Sequence, residues 1–371
     1  MKILLVSSIF PPDIGGPATY TCLLAKSLTK RHKVSMVTFS PEAAKETGLS
    51  IYSLSQGGNS LFRQIRLLRK LISLSGKFDL IYCQDPLVVG MASFLAGKIK
   101  RKPVIVKFVG DIIWETARNR GLVNFSLEDF YKKRYHLNRT WRWQTKLQKF
   151  ILNRVDLIIT PCLYLKSFLV KYYQINKKKI QVIPNGIVVQ KKTGKKQDIA
   201  VTVGRLVNWK GIMEILKTVK EIPGLRYWIV GSGPELKNLK KFIRDFKLKK
   251  KVRFFGNLSQ AKVKEILSEA SIFILNSNYE GLPHVLLEAA GARNALVVPR
   301  LPGILEVFSE REVSYFDQTK NDSLKRVLIK LWQNKKKRER IAERAYQKVK
   351  EKFFWEKTYK ATEKTMKQLI K

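Results

Sequence analysis

The sequence predicts an α/β protein of two doubly wound domains, on three observations. Short apolar runs alternate with segments of helical periodicity along nearly the whole chain, the pattern of a mostly parallel sheet with helices on both faces. That pattern stops at a charged stretch near residue 190 and restarts beyond it. Finally, 371 residues are more than one hydrophobic core normally serves, and a hydrophobic share of 45% is ample for packed cores.

The first domain, 1–185, opens with an apolar strand from Ile3 to Ser7, a loop carrying Gly15-Gly16, and Tyr20, Leu23, Leu24 and Leu28 at helical spacing. Strand, glycine-rich loop and helix make the start of a βαβ unit, in which glycines let a backbone approach a ligand. Further strands are expected at Val34 to Phe39, Phe78 to Cys83, Pro103 to Phe108, Val155 to Thr160 and Ile180 to Ile183, with a helix over Leu87 to Ala96. Pro184-Asn185-Gly186 and the Lys-rich run Lys191-Lys192-Thr193-Gly194-Lys195-Lys196-Gln197 bury almost nothing and form a linker, 186–197.

The second domain, 198–350, repeats the plan. Strands are expected at Ile199 to Val203, Leu225 to Val230, Val252 to Phe255, Ile272 to Leu275 and Leu296 to Val298, with helices from Ile212, Glu235, Ala261 and Pro283 and a helical region after the last strand. Pro283 suits a first helical turn, where its missing N–H is no loss. Residues 351–371 form an amphipathic helix, with Trp355, Tyr359, Thr362, Met366 and Leu369 on one face.

No run reaches the length of a membrane-spanning helix, and Met1 to Ser8 reads as a strand rather than a secretory signal, so a cytoplasmic location is expected. Cys22, Cys83 and Cys162 lack metal spacing and are read as buried free thiols. The charge is the outlier: 72 Lys and Arg against 29 Asp and Glu leave +43, a surface that seeks anions. A general Lys bias would raise Lys and Glu together, and the acids have not followed.

The chemistry concentrates in three loops of the second domain, each between a strand and a helix, where open α/β sheets bind ligands. The first runs Gly204-Arg205-Leu206-Val207-Asn208-Trp209-Lys210-Gly211, and its Arg and Lys can clamp a diphosphate. The second is Gly231-Ser232-Gly233-Pro234. The third carries Glu280-Gly281-Leu282-Pro283 and leads to Glu288, two acceptor-only carboxylates able to take hydrogen bonds from sugar hydroxyls.

Together these stretches resemble family 4 of the retaining glycosyltransferases, over nearly the whole chain. The resemblance implies the GT-B architecture: two Rossmann-like domains facing across a cleft, an acceptor-binding one followed by a donor-binding one, with the last helix crossing back to the first domain. It implies that Arg205 and Lys210 hold the donor diphosphate, Glu288 the ribose hydroxyls and Glu280 the sugar hydroxyls, with Gly204, Gly231, Gly233, Gly281, Leu282 and Pro283 completing the donor site. It further implies that Gly15 and Gly16 approach the phosphates and acceptor from the other domain. The implied co-substrate is a UDP- or GDP-sugar, with no metal or other cofactor expected.

Two positions depart from the family pattern. Where many relatives have a His after the Pro103 to Phe108 strand, this chain has Val109, making Asp111 the nearest polar candidate for a catalytic role; a helix-capping Asp is the other reading. In Arg300-Leu301-Pro302-Gly303, Pro302 replaces the first glycine of the usual pair.

Two stretches of the first domain are basic and apolar together. From Tyr131 to Arg154 the cations Lys132, Lys133, Arg134, Arg139, Arg142, Lys146, Lys149 and Arg154 are interleaved with Tyr131, Tyr135, Trp141, Trp143 and Phe150; Leu61 to Lys77 combines Arg63, Arg66, Arg69 and Lys70 with Leu61, Phe62, Ile65, Leu68 and Ile72. Such helices suit an anionic membrane surface. The expectation is therefore a peripheral enzyme of the inner membrane face acting on a lipid-linked or saccharide acceptor. The alternatives are an inverting enzyme with Asp13 or Asp111 as base, a nucleotide-sugar sensor without activity, or a nucleic-acid-binding protein, for which no recognition motif is present. His32, His136 and His284 show no metal-ligand spacing.

Overall fold

The structure, a computed structural model, describes residues 1–41, 49–132, 139–189 and 196–370. Lys133, Arg134, Tyr135 and His136, and Lys191 to Lys195 of the linker, lie outside the described residues. The chain forms two compact units: Met1–Glu115, Leu127–Asn185 and Glu356–Lys371 in one, Thr116–Ser126 and Gly186–Trp355 in the other.

In the first unit seven strands are all parallel: β1 (Lys2–Ser7), β2 (Lys33–Thr38), β3 (Ser50–Ser53), β4 (Leu80–Cys83), β5 (Val104–Lys107), β6 (Leu157–Thr160) and β7 (Ile180–Val182), in the order β3-β2-β1-β4-β5-β6-β7. The central strands are apolar on both faces because helices cover both, and Ile3, Leu4, Leu5, Ile81 and Ile105 are fully buried. The last helix, Trp355–Ile370, is fastened to this unit from Glu356 on. Thr358 Oγ1 donates to the Pro184 carbonyl at 2.8 Å, Thr365 Oγ1 to Gln181 Oε1 at 2.8 Å, and Glu363 meets His32 Nε2 at 2.6 Å.

The second unit holds β8 (Gln197–Val203), β9 (Arg226–Val230), β10 (Val252–Gly256), β11 (Ala270–Ile274), β12 (Ala295–Pro299) and β13 (Val313–Phe316), again parallel, in the order β10-β9-β8-β11-β12-β13. Both sheets reverse strand order once, between β1 and β4 and between β8 and β11. The crevice outside the carboxyl ends at such a reversal is where open α/β sheets place ligands. Loops leaving β8 and β11 therefore flank that point in the second unit.

Four local expectations are corrected. β3 and β13 are strands that the apolar-run criterion passes over: both are half-exposed edges, with polar residues where a central strand has Val or Ile. Residues 116–126, adjacent to a first-domain strand in sequence, belong to the second unit, where Asn119 Oδ1 accepts from Trp209 Nε1 at 2.9 Å. The helix after Pro283 spans His284–Gly291; Pro283 has ψ 121° and stands outside it as the cap. Tyr131 and Trp141, read as interfacial, are core residues, 4% and 7% exposed.

Candidate functional site

At the carboxyl edge of the second sheet the loops after β8 and β9 run backbone against backbone. Gly204 N–H donates to the Val230 carbonyl (2.9 Å), Leu206 N–H to Ser232 (2.9 Å) and Glu235 N–H to Leu206 (3.0 Å). That approach requires Gly231, whose φ is +128° and where a Cβ would lie 2.0 Å from the Gly204 carbonyl oxygen. A Cβ on Gly233 would stand 2.4 Å from the Leu206 oxygen.

The loop after β11 is stitched to the same edge. Asn278 N–H donates to the Trp209 carbonyl at 2.9 Å, and Asn276 Nδ2 to the Gly211 carbonyl at 2.9 Å. From the loop after β13, Gln318 Nε2 reaches Asn276 Oδ1 at 2.9 Å and Asn278 Oδ1 at 3.1 Å. Pro302 opens the short helix Pro302–Leu305, and Gly303 next to it packs on Gly281 so closely that a Cβ would fall 1.6 Å from the Gly281 oxygen. Gly303→Ala must push the Glu280 loop aside, and the expected loss is about 1–3 kcal/mol of stability, read from the denaturant midpoint.

This framework brings Lys210 and Glu280 together. Lys210 Nζ pairs with Glu280 Oε1, the side chains being 19% and 11% exposed, and the ammonium lies 4.6 Å from the centre of the Trp209 ring. Screening is weak for a pair so far withdrawn from water, so its charges act strongly on whatever enters beside them. Arg205, on the same loop as Lys210, is exposed, and its side chain makes no hydrogen bond or ion pair with a described residue. Gly281, Leu282 and Pro283, which follow Glu280 in the same loop, are buried.

Glu288 lies on the helix His284–Gly291. Its Oε1 accepts from Gln260 Nε2, at the start of the helix Gln260–Glu269, and lies 3.2 Å from His284 Nδ1 one turn earlier. Gln260, Asn276 and Gln318 were not singled out from the sequence. Gln260 is 28 residues from Glu288, and an amide in a loop carries no pattern of its own.

The other candidates are in the first unit. Gly15 caps the helix Gly16–Leu28, where a Cβ would meet Ile9 Cδ1 at 2.9 Å, while a Cβ on Gly16 would meet nothing. Asp111 corrects the catalytic expectation: it is fully buried, and both its oxygens are occupied. Oδ1 accepts from the N–H groups of Ile113 (3.1 Å) and Trp114 (2.9 Å), as a helix cap does. Oδ2 accepts from the hydroxyls of Tyr131 and Tyr173, both at 2.7 Å, and from Gln148 Nε2 at 3.1 Å.

Residues 14–191 match the family described as Glycosyltransferase Family 4, and 187–348 match Glycosyl transferases group 1, so the two run through 14–348. An uncharacterised glycosyltransferase of Methanocaldococcus jannaschii is 23% identical over 100% of this chain and 99% of its own. The phosphatidylinositol N-acetylglucosaminyltransferase GPI3 subunit of Saccharomyces cerevisiae is 25% identical over 49% of this chain, which spans only 44% of that relative. Among solved structures, Anabaena HepE in complex with UDP and glucose superimposes with a TM-score of 0.82 at 17% identity, over 99% of this chain and 100% of that one.

Proposed function

This chain belongs to the group 1 glycosyltransferases of family 4, with their GT-B fold of two Rossmann-like domains, and on that premise we propose that it transfers a sugar from a nucleoside-diphosphate sugar, with retention at the anomeric carbon and without a metal ion, to a lipid-linked or saccharide acceptor at the cytoplasmic membrane face. The observation that carries the donor assignment is the Lys210–Glu280 pair beside the β8/β11 reversal. A cation and a carboxylate side by side suit a ligand with a diphosphate at one end and hydroxyls at the other.

In this reading Lys210 and Arg205 hold the diphosphate, and Glu280 accepts hydrogen bonds from the sugar hydroxyls. As the glycosidic C–O bond breaks, its electron pair leaves on the diphosphate while positive charge grows on the ring. Cations already in place stabilise that departing charge, and the nearby Glu280 carboxylate favours the electron-poor ring. An inverting reaction needs a base in the first unit. Asp111 is closed off by its five donors, and Asp13 is engaged by Ser40 Oγ at 2.5 Å. A screen of nucleotide sugars with a membrane extract, followed by NMR of the product anomer, tests the proposal: retention supports it, and inversion or no transfer with any donor refutes it.

The membrane part is supported by three helices of the first unit, Ser60–Ser75, Gly90–Lys100 and Arg139–Arg154; the middle one packs against both others. None contains an acidic residue. Their outer faces leave Leu61, Phe62, Ile99 and Trp143 between 57% and 66% exposed among Arg63, Arg69, Lys100 and Arg142. Cations for head groups and rings for the interfacial zone suit an anionic bilayer. The protein is expected to sediment with phosphatidylglycerol vesicles and not with phosphatidylcholine ones, and Phe62→Ser with Trp143→Ser to weaken that binding several-fold. Tight, salt-sensitive binding to duplex DNA without vesicle binding would replace the membrane with nucleic acid.

A further inference from the structure

Two carboxylates of this chain are held in opposite ways. Asp111, a structural cap, has donors on both oxygens. Glu288 has them on one. Gln260 Nε2 donates to Oε1, His284 Nδ1 stands 3.2 Å from that same Oε1, and Oε2 makes no hydrogen bond with a described residue. The Glu288 and His284 side chains are 12% and 11% exposed, so this one-sided arrangement is not a solvated surface contact. His284 Nε2 is buried without a hydrogen-bond partner among the described residues, so the imidazole's polar side-chain contact there is with Glu288.

A brace whose purpose was to join the helices Gln260–Glu269 and His284–Gly291 would gain from using both oxygens, since a second hydrogen bond would tighten the join. Gripping one oxygen from two elements does something else: it fixes the carboxylate's rotation and leaves the second oxygen's lone pairs for hydroxyl donors. We propose that Gln260 and His284 are positioning residues that hold Glu288 by Oε1 so that Oε2 is presented to the ribose hydroxyls of the donor nucleotide. This rests on the donor-site reading above and adds the parts that make its ribose contact selective. Side chains locked by their neighbours lose less freedom when a ligand arrives.

The test is calorimetric titration of the wild type with UDP, GDP, ADP and CDP, then of the tightest binder's 2′,3′-dideoxy analogue. The wild type is expected to prefer the ribonucleotide by about 10-fold or more, as a hydrogen bond to a charged group allows. In the double variant Gln260→Ala, His284→Ala that preference should shrink to roughly 3-fold or less, because the carboxylate then swings freely. Affinity for the dideoxy analogue should stay at the wild-type value, which shows that the variant is folded and its diphosphate site intact.

If the double variant keeps the full preference while Glu288→Gln loses it, the positioning role is refuted and the ribose role of Glu288 stands. If Glu288→Gln keeps it as well, the ribose role itself fails, and the proposal with it. Should the double variant lose the dideoxy analogue and the ribonucleotide equally, the pair is a structural brace and the inference is overturned. Failure of the wild type to bind any of the four diphosphates refutes the donor-site reading on which it rests.

Discussion

Lys210→Ala is expected to lower kcat by about 10²–10³, the loss seen when one preorganised donor is taken from a developing negative charge. The reasoning starts from burial. Lys210 is 19% exposed against a Glu280 that is 11% exposed, on a loop braced by Asn278 and Asn276. The ammonium is therefore already in place when the leaving diphosphate acquires its extra charge. Because that charge appears only as the bond breaks, the loss should fall on kcat more than on donor affinity. Lys210→Arg should recover only part of it, since a planar guanidinium does not replace a compact ammonium. Single-turnover transfer with the donor found in the screen measures both, and a Lys210→Ala enzyme with wild-type kcat would remove Lys210 from the chemistry.

Asp111→Ala is expected to be the most destabilising single change considered, at about 3–5 kcal/mol, with little effect on turnover per folded molecule. It strands the N–H groups of Ile113 and Trp114, the hydroxyls of Tyr131 and Tyr173, and the Gln148 amide around a fully buried position. Burial raises the Asp111 pKa above the usual carboxylate value, its hydrogen bonds pulling the other way without prevailing. The folded state thus keeps its proton where the unfolded chain, near pH 3.9, has released it. The Asp111 contribution is full below that pH and declines as pH rises through the raised folded value, beyond which it is level. Asp111→Asn, measured by urea unfolding across that range, should abolish this part of the pH dependence and destabilise less than Asp111→Ala.

How far the sequence could be read depended on the kind of signal each residue leaves. Central strands such as β1 and β8 show as continuous apolar runs because they are buried on both faces, whereas β3 and β13 are edges and show no such run. The Lys210 and Glu280 loops stand out because glycines and a proline frame them between a strand and a helix. Asp111 was ambiguous for a physical reason: a Gly-Asp before a helix serves equally as a cap or as a reactive carboxylate, and only its buried partners Tyr131, Tyr173 and Gln148 decide. Trp141 and Trp143 are two residues apart, yet one is 7% and the other 61% exposed, a difference set by helix rotation that composition does not carry. Gln260 is invisible for the same kind of reason, since its meaning lies in a neighbour brought near by the fold.

Hydrogen–deuterium exchange is the direct test of whether the carboxyl edge of the second sheet is the donor site. Exchange is followed with and without the nucleotide sugar that the enzyme turns over. Slowed exchange is expected in 204–211, 231–235 and 278–288, with that protection lost in Lys210→Ala together with Glu288→Gln. Protection confined to the basic helices of the first unit, with those three loops unchanged, would contradict it.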